Sequence, residues 1–221
     1  MYTVVPIQVY IIASQDVVTG LMKNNSRITF NTLSGILECS AINGLYSLSL
    51  PEPTLSVYEG NKEDIISAFG GEKLINTEKF PFVIDSGGYI YIYVSTLNQL
   101  INIKPDFKSL MDLSSARKGY DAFTLFTSET FEKGNDAHLR FFAPYYGINE
   151  DPVTGSANGP LLLVLRFLGL VEENTEDKIF NFEQGDVIGR KGRISVSYSP
   201  SKNNLTISGR AVTVFTGDTF L

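Results

Sequence analysis

The chain has 221 residues, enough for one large domain or two small ones with a core of useful size. Hydrophobic residues make up 43% and charged residues 19%, which excludes a disordered or membrane class on composition. The net charge of -6, with Lys and Arg scattered, excludes the phosphate-neutralising face that nucleic-acid binding needs, and the lone Cys39 excludes an intrachain disulfide and a thiol metal cluster.

Residues 4–12 are apolar but lack a basic flank and a small-residue cleavage site, so they are not read as a signal peptide. They also fall short of the roughly 18 apolar residues of a membrane helix, and a strand is expected. Thr19-Gly20 and Asn24-Asn25 break the chain. Residues 28–30, 36–39 and 46–50 then predict an antiparallel meander, turned at Ser34-Gly35 and Asn43-Gly44 and ended by Pro51 and Pro53. Asn61 as a capping residue, early carboxylates, helical spacing of apolar residues and a Gly70-Gly71 stop predict a short helix.

Residues 80–84 and 89–94 form the next expected strand pair, around Asp85-Ser-Gly-Gly88, where turn chemistry accounts for Asp85. A helix is expected from Lys104-Pro105 to about residue 117, then strands at 122–126 and 138–142. His138 is the only histidine and so the obvious general base near neutral pH, but its place on a continuous strand favours a structural or solvent-facing role. Residues 171–178 read as a solvated acidic loop, and strands at 180–182, 187–188, 193–198, 205–207 and 212–215 complete a strand-rich tail.

The organising stretch is residues 140–170, RFFAPYYGINEDPVTGSANGPLLLVLRFLGL. A buried strand ends at Pro144, a polar irregular loop follows, and from Pro160 onward Arg166 is the only polar side chain before Gly169. A helix apolar nearly all round belongs inside a sheet or barrel. Ser156 or Asn158 is the expected N-cap, with Pro160 tolerated in the first turn. The unpaired N–H groups of such a start, approached over glycine, form a ready site for a carboxylate or phosphate. Asp151 at the mouth of the loop is placed to move a proton on a bound substrate. The same letters also make an ordinary turn and cap, which is the competing reading. No dinucleotide fingerprint, P-loop or HExxH pattern occurs, so cofactor-free, metal-free chemistry is the enzymatic option that remains.

The run Asn149-Glu-Asp-Pro-Val-Thr-Gly-Ser-Ala157, preceded by Arg140-Phe-Phe-Ala-Pro144, resembles the signature of the PhzF family, named for an isomerase of phenazine biosynthesis. Residues 28–37, 48–51, 85–88, 182–185, 189–190 and 208–212 fit the same pattern in order. The resemblance implies an α+β, diaminopimelate epimerase-like fold: two similar lobes, each an antiparallel barrel-like sheet around a central helix, with the active site between them. It implies cofactor-independent proton transfer at carbon on a small carboxylate-bearing metabolite. The lone cysteine fits an intracellular, cytoplasmic location, charge and hydropathy point to no nucleic-acid or membrane partner, and an incomplete first lobe with exposed edge strands would invite a homodimer. Asp151 matches the catalytic signature aspartate, and Gly155 and Ser156 match the pair that holds the substrate's polar groups.

The sequence departs from the family in its first part, where a Gly-Asn-Pro motif, a Gly-His segment and a Ser-Glu-Thr bearing the principal acid/base glutamate are expected. Ser128-Glu129-Thr130 has the letters but follows the strand at 122–127, so that role is not carried to Glu129. The expected division is residues 1–52 as a remnant of the first lobe with 1–25 atypical, 53–208 as the second lobe, and 209–221 returning toward the first. The expected activity is an isomerase impaired by loss of that glutamate; the alternative is a non-catalytic small-anion-binding pseudoenzyme.

Overall fold

The computed structural model describes residues 26–32, 35–71, 75, 79–114, 119–176 and 178–210. The strand expected at 4–12, the breaks at Thr19-Gly20 and Asn24-Asn25, Ser34 of the first turn, the end of the helix expected to 117, and the strand at 212–215 with the returning segment lie outside these residues.

The expected meander is present. Strands β1 (Ser26–Thr32), β2 (Gly35–Ile42) and β3 (Leu45–Leu50) pair antiparallel in order. Asn43 (φ 51°) and Gly44 (φ 73°) take the left-handed conformations that a tight two-residue hairpin requires. After β4 (Leu55–Val57) comes α1 (Lys62–Ala68), whose N-cap Asn61 accepts from the Glu63 and Asp64 N–H groups.

Strands β5 (Val83–Asp85) and β6 (Tyr89–Tyr93) pair around the Asp85 turn. Two short helices follow. The first, α2 (Leu97–Asn102), is capped by Thr96 and was not foreseen; the second, α3 (Phe107–Leu113), is capped by Asp106. Then come β7 (Ala122–Thr127), β8 (Ala137–Ala143), the short β9 (Ile148–Asp151), α4 (Gly155–Phe167), β10 (Ile179–Gln184), β11 (Gly192–Ser199) and β12 (Asn204–Gly209).

The strands join in one sheet of order β1-β2-β3-β12-β11-β10-β8-β7-β6-β5-β4, with β9 on β8. The pairing of β3 with β12 links the meander to the rest. The sheet is mixed: β6–β7 and β8–β10 run parallel, against the expected antiparallel arrangement. Parallel neighbours need a long connection, and α2 with α3 supply one while β9 with α4 supply the other.

The sheet curls around α4, which packs on β11, β12 and β6. Residues Leu161 to Leu165 of this helix are buried, as its all-round apolar sequence requires. On β6, Tyr91 and Tyr93 face the α4 core while Ile90 and Ile92 join Ile65, Phe69, Leu100 and Leu110 of α1 to α3 in a second core. Strands covered on both faces read as continuous apolar runs, and β6 to β8 do. On β8 the polar exceptions are His138 and Arg140. The Arg140 guanidinium forks onto Glu150 (2.9 and 2.8 Å) and donates to the Leu100 and Ile103 carbonyls at the end of α2. It thereby fixes β9, and the loop behind it, against the core.

Candidate active site at the start of the central helix

The helix α4 begins at Gly155 with Thr154 as N-cap, so neither Ser156 nor Asn158 is the cap and Pro160 lies inside the helix rather than in its first turn. The cause is tertiary. Thr154 sends its N–H to Gln184 Oε1 (2.9 Å), and its carbonyl accepts from the Asn158 N–H (3.0 Å) and Asn158 Nδ2 (2.8 Å). Asn158 is fully buried and also donates to Gln184 Oε1 (2.7 Å). The strand β10 therefore sets where the helix starts. Beneath the same loop Gly185 (φ 84°) closes a turn onto Arg190, and a Cβ there would lie 2.2 Å from the Arg190 carbonyl oxygen and 2.6 Å from that of Pro152. Only glycine allows that approach.

The N–H groups of Gly155 and Ser156 have no acceptor within the helix, since they precede its first α-turn. Asp151, at the end of β9, is half-buried and accepts from the Thr154 hydroxyl. Burial pushes its carboxyl above the usual range, opposed by the Thr154 bond and by Arg190. The structure thus gathers Asp151, Gly155 and Ser156 within one loop and helix start.

The fold adds residues that local sequence patterns did not single out. The Tyr89 hydroxyl lies 3.2 Å from Ser156 Oγ, and its ring packs edge-on against Phe141. Burial raises the Tyr89 phenol to about 12, with the charges of Asp121, Asp85 and Asp151 adding to the shift. Asp121 accepts from the Tyr146 hydroxyl, its other oxygen is buried without a partner, and burial raises its carboxyl as well. Tyr145, Tyr146 and Ile148 are exposed, and the Tyr145 and Tyr146 rings meet edge-on. The period of two in β6, which puts Tyr89, Tyr91 and Tyr93 on one face, was the one sequence signal for Tyr89.

Asp85 is a buried turn residue with a second task. One oxygen accepts from the Gly87 and Tyr89 N–H groups (2.9 and 3.0 Å), and the other accepts from Tyr91, whose hydroxyl also lies 3.3 Å from the Ala157 carbonyl. Burial raises its carboxyl to about 6, partly opposed by those bonds. The native state therefore holds the Asp85 proton longer than the unfolded chain does, and stability is lost as pH rises from about 4 to about 6. Asp85→Asn keeps the turn acceptor and removes that cost. Thermal melts should show it more stable than wild type at pH 7, by up to about 3 kcal/mol, with the difference vanishing below pH 4.

His138 is fully buried on β8 and belongs to a different cluster. Its Nδ1 lies 3.1 Å from Glu183 and 3.8 Å from Asp186, and burial pulls the imidazole below its usual value against the pull of those carboxylates. These three residues bring ligand-type atoms within 4.8 Å of one another. Glu183 already accepts from the Phe131 and Glu132 N–H groups, Asn135 and His138, and Asp186 is forked by Arg193. Carboxylates so fully engaged fit a structural ion-pair network better than a metal site. Glu129, of the Ser-Glu-Thr sequence, accepts from the Leu97 N–H (2.7 Å) at the start of α2, a helix-capping role.

The model of the family described as phenazine biosynthesis-like protein, PhzC-PhzF, matches residues 10–217. The chain belongs to this family.

Among PhzF-family relatives, an uncharacterised isomerase of Clostridium acetobutylicum is 35% identical over 209 residues, covering 89% of this chain and 68% of that protein. The trans-2,3-dihydro-3-hydroxyanthranilate isomerase of Pseudomonas fluorescens is 28% identical over 204 residues, with 88% and 67% covered. A PhzF-family crystal structure from Bacillus anthracis matches with a TM-score of 0.71 at 22% identity over 89% of this chain and 69% of that one. A predicted epimerase of Pseudomonas aeruginosa matches with a TM-score of 0.65 at 17% identity, over 92% and 72%. The PhzF and epimerase-like neighbours agree with the α+β class. The chain spans about two thirds of the length of these relatives. Among the described residues no helix is long and apolar enough to cross a membrane.

Proposed function

We propose that this chain carries one half of a cofactor-independent isomerase site that moves a proton at carbon on a small carboxylate-bearing substrate. The observation that carries the reading is the placement of Asp151, a half-buried carboxylate of raised proton affinity, beside the open N–H groups of Gly155 and Ser156. In this reading the helix start and the Ser156 hydroxyl hold the substrate carboxylate, Tyr89 orients that hydroxyl, and Asp151 takes or gives the proton. A general base whose carboxyl sits above the ordinary range is better matched to work near neutral pH than an exposed aspartate. Membership in the PhzF family and relatives named isomerases support it.

A second reading, a small-anion-binding protein without turnover, is supported by Glu129. The Ser-Glu-Thr sequence of this chain is spent on capping α2, so it supplies no second acid/base group to Asp151. One experiment separates the two: deuterium incorporation from D2O into trans-2,3-dihydro-3-hydroxyanthranilate, the substrate named for the Pseudomonas relative, beside its binding measured by calorimetry. Exchange that Asp151→Asn abolishes supports the isomerase. Binding without exchange supports the anion binder, and neither binding nor exchange, here or with a panel of small cyclic and acyclic carboxylates, counts against both.

A further inference from the structure

The N-cap of α4 does something unusual with its hydroxyl. A capping threonine ordinarily accepts a hydrogen bond from an N–H of the first helical turn, but Thr154 makes no such bond. Its hydroxyl is turned back to Asp151 instead, and Gln184 explains how it is held there.

Gln184 is buried, and its orientation is dictated by two backbone groups that cannot change role. The Thr154 N–H can only donate, so the atom 2.9 Å away must be Oε1; the Asp151 carbonyl can only accept, so the atom 2.6 Å away must be Nε2. Nε2 also lies 3.1 Å from Thr154 Oγ1 and can only donate to it. The Thr154 hydroxyl, already an acceptor from Gln184, is left to give its own proton to Asp151 Oδ2. Every hydrogen in the chain thus points the same way. Protonating Oδ2 would reverse the last link and strand the hydroxyl proton, so the added proton is directed to the other oxygen, Oδ1.

We infer that Gln184 and Thr154 are positioning residues, a polarised relay that commits one oxygen of Asp151 to the fold and leaves the other to exchange the proton. Neither touches the reacting atoms. They act through Asp151 by favouring its charged form, partly offsetting the burial that favours the neutral one, and by aiming Oδ1. The other titratable groups acting on the site are Arg190, which favours the charge, and Tyr89, itself influenced by Asp151. The inference rests on the reading of Asp151 as the proton-transfer group, but its test does not require turnover.

The test is the titration of the Asp151 side-chain carboxyl, followed by carbon-13 NMR in the full chain. Thr154→Val removes the hydroxyl at nearly constant volume and should raise the Asp151 midpoint by about one pH unit, the worth of one hydrogen bond to a charged group. Thr154→Ser keeps the hydroxyl and should titrate with wild type. Equal midpoints in the Val and Ser variants would overturn the relay.

Gln184→Glu adds a negative charge that raises the midpoint by itself, so its effect is measured in both the Thr154 and the Thr154→Val backgrounds. A larger shift with Thr154 present is expected, because only then can a hydroxyl turn from Asp151 toward residue 184; equal shifts would remove Gln184 from the relay. If Asp151→Asn leaves proton exchange intact while Thr154→Val moves the midpoint, the proposed function fails and the relay stands. The reverse pair of results sinks the relay alone.

Discussion

Asp151→Asn should abolish proton exchange at carbon while leaving the protein folded. The loss of a positioned base costs on the order of a hundred to ten thousand fold in rate. Stability should change by less than about 1 kcal/mol, because the asparagine oxygen can still accept from the Thr154 hydroxyl and no buried charge has to be maintained. Ligand affinity follows a different course. Removing a negative charge near the Gly155 and Ser156 N–H groups leaves them free for a carboxylate, so binding of the unreactive ligand should persist in the variant. An unchanged exchange rate together with a lowered melting temperature would assign Asp151 to the turn and nothing more.

The largest stability effect is expected at Glu183. Its buried carboxylate accepts four hydrogen bonds, from the Phe131 N–H (2.7 Å), the Glu132 N–H (2.7 Å), Asn135 Nδ2 (2.8 Å) and His138 Nδ1 (3.1 Å). Glu183→Ala leaves those donors without their acceptor and empties a fully buried position, and should cost about 3 to 5 kcal/mol, or roughly 10 °C in melting temperature for a chain of this size.

The pH dependence carries the same signature. Burial acts to raise the Glu183 carboxyl, but its four donors outweigh it and hold the group below the ordinary range. Its contribution is therefore present above the unfolded value and lost as pH falls through the folded one. His138, held neutral by burial, shifts the balance in the same direction, because the unfolded chain protonates it more readily. The variant's acid limb should be flatter than that of wild type. A deficit that stays constant from pH 7 to pH 3 would show that packing, not the charged network, accounts for the loss.

The residue that a reading by residue type alone would choose, His138, serves this network, and the candidate site lies at the start of α4. The two are built from one strand. Adjacent residues of β10 point to opposite faces, so Glu183 fastens the loop at 131–135 while Gln184 fastens the one at 151–154. A peptide of four letters, Phe182-Glu-Gln-Gly185, thereby organises both sides of the sheet.

What the sequence determined by itself is what local chemistry decides. The Asn43-Gly44 turn, the capping of α1 by Asn61, the burial of α4 and the place of Asp151, Gly155 and Ser156 in one loop all follow from residues within a few positions of one another. Tertiary structure decided the rest. The helix is capped by Thr154 rather than by Ser156 or Asn158 because Gln184, thirty positions away, takes the Thr154 N–H. Tyr89 reaches Ser156 because the sheet curls β6 around the helix. Glu183 and His138 meet because β8 and β10 run parallel in register. Each depends on which strands become neighbours, and that is settled by closing long loops over a shared core, a free energy that no short window of sequence contains.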